Sequence, residues 1–138
     1  MMRISAVVRI LAVSLLALTA GVAGCGSSKS TAPGLQPQIA NLPDDFSYQV
    51  TSVSNHTGTW TYAWQNSGIA ANVNQSTTVT AGTMHLELLD ASGALVYSRS
   101  LADNGTFVSS NGTPGQWTLR VVYTRGSGTV NFRAQKKT

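Results

Sequence analysis

The chain has 138 residues, a formal net charge of +4 and a single cysteine, so it has no internal disulfide framework. The positive charge does not indicate nucleic-acid binding, because the lysines and arginines are scattered and form no stripe that could follow phosphates. Abundant Thr, Ser, Gly and Asn, with few charged residues, are typical of exported β-proteins. We therefore expect a β-rich exported protein with no nucleic-acid partner.

Residues 1–24 have the layout of an export signal. The cationic Arg3 and Arg9 are followed by an apolar run at 10–20 and then by small residues. A helix of 11 residues rises only about 16 Å, roughly half the hydrocarbon thickness of a bilayer. The segment is thus predicted to be a cleaved signal and not a transmembrane helix. Its removal takes away two arginines and lowers the formal charge from +4 to +2.

The signal ends in Val22-Ala23-Gly24-Cys25, which resembles the lipobox of bacterial lipoproteins. The resemblance implies a diacylglyceryl thioether on Cys25, cleavage between Gly24 and Cys25, and acylation of the new amino terminus. Two or three acyl chains give stable anchoring where one holds only marginally. In this family a residue other than Asp after the cysteine, here Gly26, favours the periplasmic face of the outer membrane if the host is Gram-negative. The alternative is an ordinary cleaved signal with Cys25 incidental.

The composition of the mature chain predicts three parts. Residues 25–41 begin with the lipidated cysteine and continue as small and polar residues with two prolines, which is typical of a tether without fixed structure. Residues 42–135 are expected to form the folded domain. Residues 136–138 are expected to be a basic tail.

Apolar and polar residues alternate from Leu42 onward. This period of two predicts strands at 46–51 and 59–65 with a turn at 55–58, and one irregular or two short strands at 69–80. Asp90-Ala91-Ser92-Gly93 predicts a hairpin turn between strands at 83–89 and 95–101, because Asp bonds the backbone two residues on and Gly accepts a positive φ. Residues 102–116 are predicted to form a loop with at most one short strand.

The last part of the chain is predicted to form a hairpin, with strands at 117–123 and 130–134 around a turn at 125–128. Seven to nine short strands without a helix of ten or more residues indicate a single antiparallel β-sandwich, jelly-roll or immunoglobulin-like. The sequence at 115–132 resembles the terminal hairpin of the small jelly-roll modules appended to bacterial secreted peptidases. That resemblance implies a topology and an accessory binding or maturation role, and it carries no site.

Trp60, Tyr62 and Trp64 share one face of a predicted strand and allow two interpretations. They could form a platform for sugar rings. They could also be core residues, which we favour because exposing all three would leave an apolar patch of several hundred Å². If one ring reaches the surface, Trp64 is expected to do so because it lies nearest the strand end.

The sequence gives little support for a metal site or a catalytic site. His85 and Glu87 share a face, but a metal site needs about three protein ligands and the only other histidine is His56, so a solvated strand face is expected. Four aspartates could be calcium ligands but lack the spacing of a calcium loop: Asp44, Asp45, Asp90 and Asp103. We expect no metal, no cofactor and no catalytic residue.

Three functions stay open. The first is a non-enzymatic envelope lipoprotein that binds or scaffolds an envelope protein or glycan, held to the membrane through Cys25. The second is a carbohydrate-binding module that uses Trp60, Tyr62 or Trp64. The third is a small hydrolase whose Ser, His and Asp are brought together only by folding, since no Gly-x-Ser-x-Gly elbow is present.

Overall fold

The computed structural model describes residues 35–138. The signal, the Gly24–Cys25 cleavage site and the first part of the expected tether lie outside these residues. The described part is all-β, as predicted, and contains no helix, hence none long and apolar enough to cross a membrane. Its seven strands are β1 Gln38–Leu42, β2 Asp45–Asn66, β3 Ala71–Gln75, β4 Thr78–Leu89, β5 Leu95–Ser100, β6 Gly105–Val108 and β7 Gly115–Lys136.

Two strands of 22 residues each, β2 and β7, form the centre of the fold. They pair antiparallel from Asp45 opposite Gln135 to Asn66 opposite Gly115. β1 lies beside the first half of β2, and β3 and then β6 lie beside the second half of β7. β4 pairs with β7 from Thr78 opposite Thr129 to Leu89 opposite Thr118. β5 pairs with β4. All seven strands thus belong to one hydrogen-bonded network.

This network folds over on itself into two facing layers. The register of β2 against β7 shifts three times between Val50 and Gly58, and this is where both strands bend. The first half of β2 and the second half of β7, with β1, β3 and β6, form the first sheet. The other halves, with β4 and β5, form the second sheet. The Tyr48 and Tyr123 hydroxyl oxygens, one from each sheet, lie 2.8 Å apart, so the sheets face each other as a sandwich.

The hairpin predicted around 125–128 is wrong, and so is the turn predicted at 55–58. Both segments are bends inside a continuous strand, with positive φ at Asn55 (44°), Arg125 (48°) and Gly128 (137°). Gly and Asn provide such angles equally well in a turn and in a β-bulge. Each strand pairs with the other instead of folding back on itself, so the expectation of uniformly short strands fails for β2 and β7.

Two glycines allow the bent strands to cross closely. A Cβ on Gly128 would overlap the carbonyl oxygen of Thr78, and one on Gly82 would overlap the carbonyl of Arg125. Gly82 also has a φ of +64°, which side chains rarely adopt. The approach of β4 to β7 therefore requires glycine at both positions.

The hairpin predicted at Asp90–Gly93 is confirmed. β4 and β5 pair antiparallel, Gly93 has a φ of +86°, and its amide donates to the Asp90 carbonyl at 3.0 Å. The Asp90 carboxylate accepts from the Ser92 amide two residues on, at 2.9 Å. The loop predicted at 102–116 contains the single short strand β6.

The ordered domain extends past the expected boundaries on both sides. β1 begins at Gln38, inside the expected tether, and Leu35 is only 3% exposed. Lys136, assigned to the basic tail, is the last residue of β7, and its amide donates to the Asp44 carbonyl at 3.0 Å. These segments gain their order from pairing with β2 and β3, which their own composition does not reveal.

Candidate functional site

One edge of the sandwich brings the two sheets together. β1 is the edge strand of the first sheet, and residues 59–66 of β2 form the edge of the second; the end of β1 and the turn after it contact residues 63–65 of that edge. We call this edge the seam. Asn41 Nδ2 donates to the Ala63 carbonyl at 2.8 Å, and Trp64 Nε1 donates to the Leu42 carbonyl at 3.2 Å. The Asp44 amide donates to the Gln65 carbonyl at 2.8 Å. These bonds close one end of the seam.

The predicted aromatic row divides between core and seam. Trp64 is 1% exposed and packs edge-to-face on Trp117, with ring centroids 6.0 Å apart. Trp60 and Tyr62 are half-buried against the core. The expectation that Trp64 would be the exposed ring is therefore wrong. The bonds that close the seam lie at Trp64, and among residues 35–138 no hydrogen bond crosses the seam at Trp60.

His56 contacts Trp60, at the end of the seam that no hydrogen bond crosses. Trp60 Nε1 lies 3.2 Å from His56 Nε2, and the two rings stack with centroids 5.7 Å apart. An indole N–H only donates, so Nε2 accepts and the imidazole proton is on Nδ1. The His56 and Tyr123 rings are nearly perpendicular, with centroids 5.2 Å apart. Sequence analysis missed this contact because it placed His56 in a turn at 55–58, whereas His56 and Trp60 lie on one continuous strand.

Tyrosine hydroxyls lie beneath this group. Tyr62 packs over Tyr48 at 5.7 Å between centroids, and the Tyr48 and Tyr123 hydroxyls share a hydrogen bond. Burial raises the pKa of Tyr48 and of Tyr62, and it raises the pKa of Tyr123 to about 12. These hydroxyls are neutral at physiological pH, so they can exchange hydrogen bonds but are poor nucleophiles.

Two depressions lie beside β1, one between β1 and the first half of β2 and the other at the closed end of the seam. The larger, about 290 Å³, is lined by Gln38, Ile39, Ala40, Ser47, Tyr48 and Gln49. The smaller, about 190 Å³, is lined by Asn41, Pro43, Ala63, Trp64, Gln65 and Gln116. Pockets that enclose a small ligand typically measure about 300–1,000 Å³. Both depressions are smaller than this, and neither is lined by Trp60 or Tyr62.

The two histidines lie in different places. His56 contacts the aromatic residues of the seam, whereas His85 is on the outer face of the second sheet, opposite Ser100 and Val122. Its neighbour Glu87 forms an ion pair with Arg120 at 2.7 Å. Within residues 35–138 neither imidazole hydrogen-bonds a serine hydroxyl, and no group of three His, Cys, Asp or Glu residues could hold a metal.

The four candidate calcium ligands form hydrogen bonds or ion pairs with other groups of the protein. Asp103 pairs with Arg99 at 3.4 Å. The Asp90 carboxylate accepts from the amides of Ser92, Ala94 and Thr113 and from the Ser92 hydroxyl, and these bonds lower the pKa of Asp90 to about 2. Bonds from Ser67 and Lys136 lower the pKa of Asp44, and Arg133 lowers that of Asp45. These carboxylates stabilise loops and strand ends.

Comparisons with known proteins give only distant matches. No protein-family model matches the chain, and no curated protein matches it. A solved structure of KdgF from Halomonas sp. is similar with a TM-score of 0.37 and 18% identity, over 80% of this chain and 87% of that one. The structure of infectious bursal disease virus Gt strain is similar with a TM-score of 0.32 and 12% identity, over 80% and 34%. Neither likeness carries an argument about function.

Proposed function

We propose that the chain is a lipid-anchored protein of the bacterial envelope whose β-sandwich binds an envelope component at the seam and catalyses no reaction. The sequence Val22-Ala23-Gly24-Cys25 supports the location. One observation supports the binding site: Trp60 and Tyr62 stay half-buried, whereas every other large aromatic side chain of residues 35–138 except Phe107 is buried. The other half-buried ring, Phe107, is covered by the Arg99 guanidinium at 3.8 Å. Two of the three half-buried aromatic rings therefore belong to the seam.

The ligand class that fits the seam best is a glycan. Sugar rings place their C–H faces on aromatic rings and direct their hydroxyls to nearby polar groups. Trp60 and Tyr62 supply the rings. His56 Nδ1–H supplies a donor, since the other ring nitrogen already accepts from Trp60. An envelope protein is the second candidate, favoured by the exposed edge strand β1, whose five residues are all solvent-accessible.

Mass spectrometry of the mature protein and membrane fractionation test the location. We expect an acylated Cys25 as the first residue, and we expect Cys25→Ala to move the protein out of the membrane fraction. An unmodified amino terminus, or unchanged fractionation of Cys25→Ala, would contradict the proposed anchor.

Tryptophan fluorescence during titration with envelope glycan fragments tests the binding site. We expect quenching or a blue shift that Trp60→Ala abolishes. Phe107→Ala is the matched control, because it removes another half-buried ring at a different edge and should leave the titration unchanged. A flat response of the wild-type protein to every glycan would remove the glycan from consideration and leave the envelope-protein candidate, which crosslinking at β1 would then test.

A further inference from the structure

The three tryptophans of the chain donate their indole N–H groups to two kinds of acceptor. Trp64 Nε1 and Trp117 Nε1 donate to backbone carbonyl oxygens, at 3.2 and 2.8 Å. Trp60 Nε1 donates to His56 Nε2 at 3.2 Å. A backbone carbonyl accepts at every physiological pH, whereas a ring nitrogen of histidine stops accepting once it is protonated. Trp60 is therefore the one tryptophan whose hydrogen bond depends on a titratable acceptor.

Protonation of His56 and its bond to Trp60 exclude each other. An imidazolium carries N–H on both ring nitrogens, and an indole N–H has no lone pair to offer. With the two nitrogens 3.2 Å apart, two donors would face each other. The added proton would point at the N–H edge of the indole, where the ring quadrupole is positive, so a cation–π contact does not replace the lost bond. The two nitrogens must therefore separate when the imidazole gains its proton.

The strands packed beside His56 supply no anion that would hold a protonated imidazole in place. β7 contributes Tyr123, whose ring centroid lies 5.2 Å away and whose hydroxyl is neutral because burial raises its pKa to about 12. β7 also contributes the exposed cation Arg125, whose amide donates to Thr57 Oγ1 at 3.0 Å. β4 places the uncharged Met84 opposite Tyr123. Within residues 35–138 none of the ion pairs includes His56.

The groups with shifted pKa values keep their charge between about pH 8 and pH 5, the range in which a histidine commonly changes charge. Hydrogen bonds and ion pairs lower the pKa of three carboxyls, those of Asp44, Asp45 and Asp90. Burial raises the pKa of four phenols, those of Tyr48, Tyr62, Tyr97 and Tyr123. The second histidine, His85, lies on the outer face of the second sheet, away from the seam. A change at Trp60 in this range can therefore be assigned to His56.

We propose that His56 is a pH-dependent positioning residue for Trp60. At about pH 8 the neutral imidazole holds the half-buried indole in the seam, and towards pH 5 protonation releases it. A released ring must be ordered again when a ligand binds, which costs affinity. Regulation of glycan binding in this way rests on the proposed function, and the affinity should fall roughly three- to tenfold, the factor that one net hydrogen bond provides.

The indole signals in a proton–nitrogen correlation NMR spectrum of the mature full-length protein test the switch without any glycan. Trp60→Phe identifies the Trp60 signal. We expect that signal to move as the pH is lowered from about 8 to about 5, because its proton loses its acceptor. The Trp64 and Trp117 signals should stay in place, since their acceptors are backbone carbonyls, and they also report that the domain remains folded.

Two histidine variants assign the movement. His56→Gln supplies an amide oxygen that accepts at every pH, so the Trp60 signal should become independent of pH. His85→Gln is the matched control and should leave the titration as it is in the wild-type protein. A Trp60 signal that does not move in the wild-type protein, or that moves equally in His56→Gln, would overturn the proposal.

Glycan titrations at both ends of the pH range separate this proposal from the proposed function. We expect weaker binding at the acid end for the wild-type protein and for His85→Gln, and equal binding at both ends for His56→Gln. If no glycan binds at any pH, the proposed glycan site has failed, while the NMR titration still decides whether His56 positions Trp60. If a glycan binds the wild-type protein equally well at both ends, the proposed regulation is overturned even where the Trp60 signal moves.

Discussion

Trp64 and Trp60 lie four residues apart on the same face of β2, yet their surroundings differ. Trp64 is enclosed by Trp117 and bonded to the Leu42 carbonyl, which makes it part of the core. Trp60 is half-buried and donates its indole N–H to His56. Strand periodicity determines which face a side chain is on. What covers that face depends on where the neighbouring edge strand lies, and β1 is bonded across the seam only near Trp64.

Truncation of the two tryptophans gives the largest expected difference. Trp64→Ala should lower the free energy of unfolding by about 3–5 kcal/mol, because it leaves a large cavity beside Trp117. Trp60→Ala should lower it by about 1–2 kcal/mol, because part of that ring is already in water. Urea denaturation of both variants measures the difference. Equal losses would show that the seam is as closed as the core.

The hydroxyl pair that joins the two sheets should give the next largest effect. Tyr48→Phe or Tyr123→Phe alone leaves one buried hydroxyl without its partner and should cost about 1–3 kcal/mol. The double variant leaves neither hydroxyl, so its loss should be smaller than the sum of the two single losses. A double-mutant cycle in urea tests this, and strict additivity would argue that the pair does not link the sheets.

Opening the seam should cost less and change its accessibility. Asn41→Ala removes the bond to the Ala63 carbonyl and should lower stability by about 0.5–1 kcal/mol. It should also increase quenching of tryptophan emission by acrylamide. Asn74→Ala, which removes the bond from Asn74 to Thr106 between β3 and β6, is the matched control and should leave quenching unchanged. Equal quenching in both variants would contradict the role of Asn41.

The smallest expected effect is the contribution of Asp90 to stability, which changes only at low pH. Asp90 is linked to the closed core through Thr113, whose amide donates to the carboxylate and whose carbonyl accepts from Trp117 Nε1. Because its pKa falls from 3.8 to about 2 on folding, its contribution is complete above about pH 4 and is lost as the pH falls towards 2. Asp90→Asn should flatten the acid unfolding profile in that window. An unchanged acid unfolding profile of Asp90→Asn would contradict this assignment.

The hairpin at Asp90–Gly93 and the buried face of β4 could be predicted because both depend on local chemistry. A turn residue that bonds its own backbone and a period of two act within a few residues. The bends at 51–58 and 124–128 could not be predicted as bends, because a turn and a bulge use the same Gly and Asn. Only the pairing of β2 with β7, some 70 residues apart in sequence at the bends, distinguishes them.

The sequence by itself determined an all-β domain, the buried faces of its strands, and the motif at Val22-Ala23-Gly24-Cys25 on which the proposed anchor rests. Tertiary structure decided that Trp64 is core and that Trp60 contacts His56. The reason is the range of the forces involved. Alternation and turn chemistry act between near neighbours, whereas exposure depends on which distant strand comes to lie alongside.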